Sequence, residues 1–421
     1  MTYKPSIKRI NPYTNLKWIC SVFVVLLTLL PSGARGQDEP YSPRVFLYDS
    51  QDLAEIKKKI FAGDRMLSLA LDSLRKQADR ALTNGPWSVM DKPFTPPSGD
   101  KHDYMSIGPY WWPNPDTEDG LPYVRRDGLT NPERNAYDRI PLAKMTSSVS
   151  TLALAYYFTD HQPYASHASM LLRTWFLDEE THMNPHLEYG QAIPGRTKGR
   201  GIGIIDSRRF AHIADAIGLI EFSGSWTIKD QEGMEKWFGN YLNWLLNSDH
   251  GRDEASKKNN HGTFYDILTS HLALFVNNKR VAKEILGQVP QKRIAVQIEP
   301  DGSQPLELSR TRAFTYSSLN LQGLFRAALL AEHVGLDLWH FRTPDGRSLK
   351  AALDFLIPFA LQEKEWPYQM IRGWEDDLEK MVFLLRIGAQ KFQNDEYEQM
   401  IQRLPGIDLQ SNGINLVYPK K

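Results

Sequence analysis

The chain has 421 residues, 50 Lys and Arg against 50 Asp and Glu, 41% hydrophobic and 24% charged residues. This is the composition of an ordinary globular protein with ample chain for a core, and the balanced charge excludes a polyanion-binding surface announced by bulk charge, so any basic site has to be local. The 11 Trp and 18 Tyr suit either a large core or a sugar binder, since aromatic faces stack on sugar rings.

In chain order, Lys4, Lys8, Arg9 and Lys17 precede an apolar run from Trp18 to Leu30, followed by small residues Ala34 and Gly36. A run this short falls below the roughly 18–20 residues of a membrane span, and the pattern predicts a signal peptide over 1–36, cleaved after Gly36. The one cysteine, Cys20, lies inside that run, so the mature chain 37–421 needs no disulfide, and a periplasmic or secreted location is expected. Leu67, Leu71, Leu74, Ala78 and Leu82 then recur at helical spacing, as do Val149, Leu152, Ala153 and Tyr156. Between them, residues 84–135 are rich in Pro, Gly and Asp, and predict an irregular lobe or lid, because a structureless loop of this length is uncommon unless functional. Further amphipathic segments cover 164–176, 207–222, 232–247, 261–277, 279–288, 316–333, 347–361, 376–389 and 394–403, separated by breakers such as Asn184-Pro185 and Pro194-Gly195. The best candidate strand is 293–298. The reading is an all-α fold of stacked helical hairpins in one catalytic domain.

Four segments can carry chemistry. In Asp103-Tyr-Met-Ser-Ile-Gly-Pro-Tyr-Trp-Trp-Pro-Asn-Pro115, prolines keep Tyr110, Trp111 and Trp112 out of a helix, as a sugar platform or as a plug on the core. Residues 188–200 place Gln191, Arg196 and Lys198 on a Gly-rich basic loop continued by Arg208 and Arg209, suited to an anionic chain or merely solvated. No Gly-Lys-Ser/Thr ending follows, which argues against a nucleotide site. In Lys258-Asn-Asn-His-Gly-Thr-Phe-Tyr265, the Asn pair suits a helix cap, with His261 in the first turn. Asn260 and His261 then face an anion at the positive helix end, or only cap it. In Glu307-Leu-Ser-Arg-Thr-Arg-Ala-Phe-Thr-Tyr316, Arg310 or Arg312 can clasp a carboxylate, and nearby positive charge is expected to lower the Tyr316 pKa. A solvated Arg pair and a core tyrosine fit the same residues.

No His-x3-His or His-Glu-x2-His spacing occurs, and Pro185 disfavours a helix aligning His182 with His186, so no metal and no cofactor are expected. Phe222-Ser-Gly-Ser-Trp226 is no serine-hydrolase elbow. Paired carboxylates for glycoside hydrolysis stay open, with Glu299, Asp301 and Glu307 in one group and Glu375, Asp376 and Asp377 in another.

Together, the Tyr-Met-Ser-x-x-Pro-Tyr-Trp-Trp-Pro segment at 104–113, Tyr-Gly-Gln-Ala-Ile-Pro-Gly at 189–195, Asn-Asn-His-Gly at 259–262, and Arg310 with Tyr316 resemble the alginate lyase superfamily. These are bacterial helical-toroid polysaccharide lyases, and the likeness runs to the branch typified by gut Bacteroides enzymes acting on alginate and related uronans. The resemblance implies an (α/α) toroid and an active site of Asn260, His261, Arg310 and Tyr316, with Arg312 as a substitute for Arg310. It implies an acidic polysaccharide partner, contacted by Tyr110, Trp111, Trp112, Gln191, Arg196, Lys198, Arg312 and Tyr265. The implied reaction is β-elimination: amide, imidazole and guanidinium hold the uronate carboxylate while the proton on C5 is removed. Tyr316 serves as base and then acid where H5 and O4 lie on one side of the ring; His261 is the base and Tyr316 the acid where they lie on opposite sides. The rival readings are a glycoside hydrolase on an acidic glycan and a non-catalytic glycan-binding protein.

Overall fold

The computed structural model describes residues 42–374 and 377–421; the expected signal peptide, and Glu375 and Asp376 of the second acidic group, lie outside this range. The helices are α1 (Ser50–Phe61), α2 (Arg65–Ala81), α3 (Arg139–Thr159), α4 (Gln162–Leu172), α5 (Phe210–Ile220), α6 (Ile228–Asn247), α7 (Asp249–Ala255), α8 (Asn260–Phe275) and α9 (Lys279–Val289), continuing with α10 (Ala295–Gln297), α11 (Pro305–Leu308), α12 (Ala313–Glu332), α13 (Leu349–Ala360), α14 (Leu378–Lys391), α15 (Asp395–Ile401) and α16 (Ile414–Val417). Half of them start on a side-chain cap. Asp49 accepts from the backbone N–H groups of Gln51 and Asp52 ahead of α1, and Thr227 with Asp230 forms a capping box ahead of α6. Sequence periodicity passed over α1 because it buries only Leu53 and Ile56.

The helices form two layers. α3, α5, α8, α12 and α14 pack each on the next as an inner series. α2 and α4 lie on α3, α6 and α9 on α8, α13 on α12 and α14, and α15 on α14. Position in the layers explains the sequence patterns. Outer α2 shows one apolar stripe, whereas inner α8 is buried at nearly every residue from Asn260 to Phe275, so its apolar pattern runs all round. Each fully buried Leu, Ile or Phe in these layers contributes about 1.5–3 kcal/mol. α16 packs on α1 and α2 and returns the last residues to the start of the described range, where the Tyr418 hydroxyl donates to the Leu47 carbonyl at 2.8 Å. This is the expected all-α toroid.

The expected strand at 293–298 is instead a wide helical turn leading into α10. Arg293, Ile294, Gln297 and Ile298 are buried while Val296 is exposed, a spacing of four rather than two. Arg293 decides the matter. Its guanidinium grips Asp266 of α8 at 2.7 and 3.0 Å and donates to the carbonyls of Lys257 and Ala255, tying down the loop before α8.

Residues 84–135 contain only short elements: β1 (Met105–Ile107), β2 (Trp111–Trp112), β3 (Val124–Arg125) and two tight turns. β1 pairs in parallel with β4 (Tyr189–Ala192), and β2 pairs antiparallel with β3. A buried ion pair, Lys92 to Asp138 at 3.2 Å, and the Met105 N–H donating to Asp138 fasten this lobe to the start of α3.

Candidate active site

The first turns of α8 and α12 and the β2–β3 hairpin share a cleft of about 450 Å³, lined by Tyr110, Trp111, Arg125, Arg139, Gln191, Arg200, Asn260, His261, Arg310, Arg312 and Tyr316 among others. The lining residues include no carboxylate and six arginines. Local charge thus concentrates where bulk charge gave no sign of it.

Asn259 caps α8 by accepting from the His261 N–H, which places Asn260 and His261 at the cleft. Gly262 permits this approach: a Cβ there would lie 2.1 Å from the Lys257 carbonyl oxygen. Each of the two residues is set by a buried carboxylate. Glu307 accepts from the Asn260 backbone N–H at 2.7 Å, and the Asn260 Nδ2 lies 3.0 and 2.8 Å from its two oxygens. The two oxygens of one carboxylate subtend far less than the angle between the two amide hydrogens, so one hydrogen is shared and the other is left for a ligand. Burial raises the Glu307 pKa, against the pull of the Asn260 hydrogen bonds. Glu254 of α7, fully buried, meets His261 Nδ1 at 2.8 Å. That contact favours a proton on Nδ1 and leaves Nε2 as the acceptor, the state a general base requires.

Across the cleft, the Tyr316 hydroxyl lies 2.7 Å from the Tyr110 hydroxyl and accepts from the Arg310 Nη2 at 3.0 Å. The Arg310 guanidinium sits 4.0 Å above the Tyr316 ring. The expected lowering of the Tyr316 pKa is not what results. Burial, then Tyr110, push it above the ordinary phenol value, and Arg310 offsets only part of this. Arg310 is also held by Asp127 of the lobe, at 3.2 Å to Nε and 3.0 Å to Nη2. Arg312 lines the same cleft and has a buried Nε with no protein partner.

The structure divides the other expected contacts. Tyr110 and Trp111 line the cleft, but Trp112 does not. Successive residues of β2 point to opposite faces, and the Trp112 indole instead donates to the Leu129 carbonyl under the Arg126 guanidinium. Gln191 lines the cleft with a left-handed φ of 48°, held by Ser106, Asp206 and Arg200. Arg196 and Lys198 line a separate groove with Ile193 and Pro194, since their loop turns away after β4. Tyr265 is a core residue: its side chain is buried and its hydroxyl donates to the Leu245 carbonyl at 2.8 Å. Arg200, the last residue of the basic loop 188–200, also lines the cleft, and Arg139 and Arg125 join it without a sequence signal, because each comes from a different element. Arg139 is held by the buried Asp206 at 2.9 Å.

The described carboxylates that kept a hydrolase open are elsewhere or occupied. Glu299 pairs with Arg347, Asp301 caps its own turn, Glu307 is bound to Asn260, and Asp377 meets Thr315 and Lys380. Among the described residues, no cluster of three or more metal-ligating side chains is present, and no helix is long and apolar enough to cross a membrane.

Comparison with known proteins identifies the family and the fold. The family model described as Alginate lyase matches residues 88–366. An alginate lyase from Bacteroides ovatus is 42% identical, with a TM-score of 0.86 over 89% of this chain and 99% of that one. Alginate lyase A1-III in complex with a tetrasaccharide shares the fold at 15% identity, with a TM-score of 0.56 over 90% of this chain and 98% of that one. Among curated proteins there is no match. A toroid with this cleft, matched by the family model over most of its length, makes the chain a member of the alginate lyase family and a polysaccharide lyase.

Proposed function

We propose that the protein cleaves alginate, or a closely related uronan, by β-elimination at the cleft between α8 and α12. The observation that carries this reading is the ring of groups around one cavity: Asn260 and His261, each set by its own buried carboxylate, face Tyr316, Arg310 and Arg312. The C5 proton of a uronate is a poor acid because the adjacent carboxylate is already negative. Abstraction builds further charge on that carboxylate, and fixed amide and guanidinium donors stabilise it. The base takes the C5 proton, its electron pair forms the C4–C5 double bond, the C4–O bond breaks, and the departing oxygen receives a proton. With H5 and O4 on one side of the ring, Tyr316 carries the proton from one to the other; with them on opposite sides, His261 Nε2 accepts and Tyr316 donates. The raised Tyr316 pKa suits the acid half of this cycle, and Arg310 on its oxygen stabilises the phenolate in the base half.

The test is incubation with defined mannuronate, guluronate and glucuronate polymers. Ultraviolet absorbance from the conjugated double bond is expected with at least one of them. New reducing ends without that absorbance would indicate hydrolysis and end the proposal. The proposal includes export through the signal peptide expected over 1–36, and N-terminal sequencing of the exported protein is then expected to begin at Gln37.

A further inference from the structure

A second cavity, of about 400 Å³, adjoins the cleft inside the ring. Arg208 and Leu319 line both spaces. Its own wall carries Arg209 and His212 of the α5 entry, Ser150 of α3, and Gln322 and Arg326 of α12. Among the described residues, no carboxylate lines it. Lys380 is paired with Asp377, but no carboxylate among the described residues pairs with the three guanidiniums. Among the described residues, Arg208 has the Ile205 carbonyl at 3.2 Å and the face of Phe264, and Arg326 has the face of Phe383. The nearest buried carboxylates are committed: Asp206 to Arg139 and Gln191, Asp215 to His271 and the backbone of Phe46 and Leu47. Burial, then Arg139 and Arg209, pull the Arg208 pKa down to about 10, as expected of a cation lacking its counter-charge. Arg209 is exposed, but Arg208 and Arg326 are part-buried, and unpaired guanidiniums there are costly unless an anion completes them.

We propose that this chamber is a distal anion site that takes the carboxylate of a uronate unit lying several units along the same chain from the bond being broken. The inference rests on the uronan reading of the cleft. Three features favour a sugar chain over a free anion: the shared wall at Arg208 and Leu319, the hydroxyl and amide groups of Ser150 and Gln322 suited to sugar hydroxyls, and a volume larger than a small ion needs. Tyr316 and Arg326 are ten residues apart on α12, about 15 Å along its axis, so only an oligosaccharide reaches both.

The test uses the full chain and size-defined oligouronates. Turnover is followed on the wild type, and calorimetric binding on Tyr316→Phe, with and without Arg209→Gln and Arg326→Gln. Affinity is expected to step up at the length that reaches the chamber. The added pair of substitutions is expected to weaken binding of those longer oligomers by about tenfold or more, the scale of one charge-assisted contact, while KM and kcat for the shortest cleaved oligomer stay unchanged. An equal loss at every length, or none at any, overturns the proposal. So does sulfate binding that disappears in the variant with no dependence on oligomer length, which would assign the chamber to a free anion. If the wild type cleaves no uronan, the reading of the cleft fails; if it cleaves but shows no length-dependent effect, the chamber alone fails. Should the double variant not fold, the exposed Arg209→Gln carries the same readout.

Discussion

At the level of single residues, the proposed chemistry rests on the Tyr316 hydroxyl, the His261 imidazole and the Glu254 carboxylate behind it. Tyr316 can pass a proton only through its hydroxyl, so Tyr316→Phe is expected to reduce formation of unsaturated product to near background while leaving the melting temperature within a few degrees. His261→Ala tests the anti route, and wild-type turnover in that variant on every substrate would remove His261 from the mechanism. Glu254 is the less obvious residue. It is buried behind the cleft rather than lining it, yet its contact with Nδ1 favours Nε2 as the free imidazole nitrogen. Glu254→Gln is expected to lower kcat by about two orders of magnitude or more with little change in KM, since exchanging a carboxylate for an amide permits the wrong tautomer. An equal loss in KM would mean that Glu254 shapes the cleft rather than orienting the base.

Elements matter here through what they carry to one place. The β2–β3 hairpin brings Tyr110 to Tyr316 and is followed directly by Asp127, which clasps Arg310. Asp127 thereby occupies the guanidinium proposed to meet the substrate carboxylate, and it also accepts from Thr311 at 3.1 Å, so it fastens the lobe to the start of α12. Asp127→Ala is expected to raise KM more than it lowers kcat, because the lobe and Arg310 lose their mutual anchor; steady-state kinetics on a defined oligomer reads the split. The other fastening is sensitive to pH. Burial pushes the Asp138 carboxyl up to about 7 despite Lys92 beside it. Between its ordinary value near 3.8 and about 7, the folded protein retains a proton that the unfolded chain has lost. The stability tied to that proton is therefore full at the acid end and is lost as pH rises through about 7. Asp138→Asn should flatten that part of a melting-temperature profile against pH, and an unchanged slope would assign it to another group.

At the scale of the whole molecule, the ends of the helical series are joined by the last residues of the chain. Arg386 of α14 donates to the Tyr418 carbonyl at 2.8 Å, and the Tyr418 hydroxyl reaches Leu47, 371 positions earlier in the chain. Tyr418→Ala is expected to cost about 3 kcal/mol in denaturant unfolding, the scale of a large aromatic removed from a packed site, and to do so without altering KM. A loss confined to activity would mean that the closure acts on the cleft instead.

Helical spacing at Leu67, Leu71, Leu74 and Ala78, the Asn259 cap and the breakers between segments are local properties, so the all-helical fold and the placing of His261 in a first turn were legible from the residues alone. Arg310 and Tyr316, six apart, were legible as a pair for the same reason. Ring closure was not, because no repeat encodes it and Tyr418 meets Leu47 only once the ring has formed. Nor were the partners of the site: Glu254, Glu307, Asp127 and Arg139 stand on separate elements, and their roles follow from burial and distance in space. Burial also reversed the expected shift of Tyr316, because desolvation depends on everything packed around a group, whereas sequence shows only its neighbours along the chain.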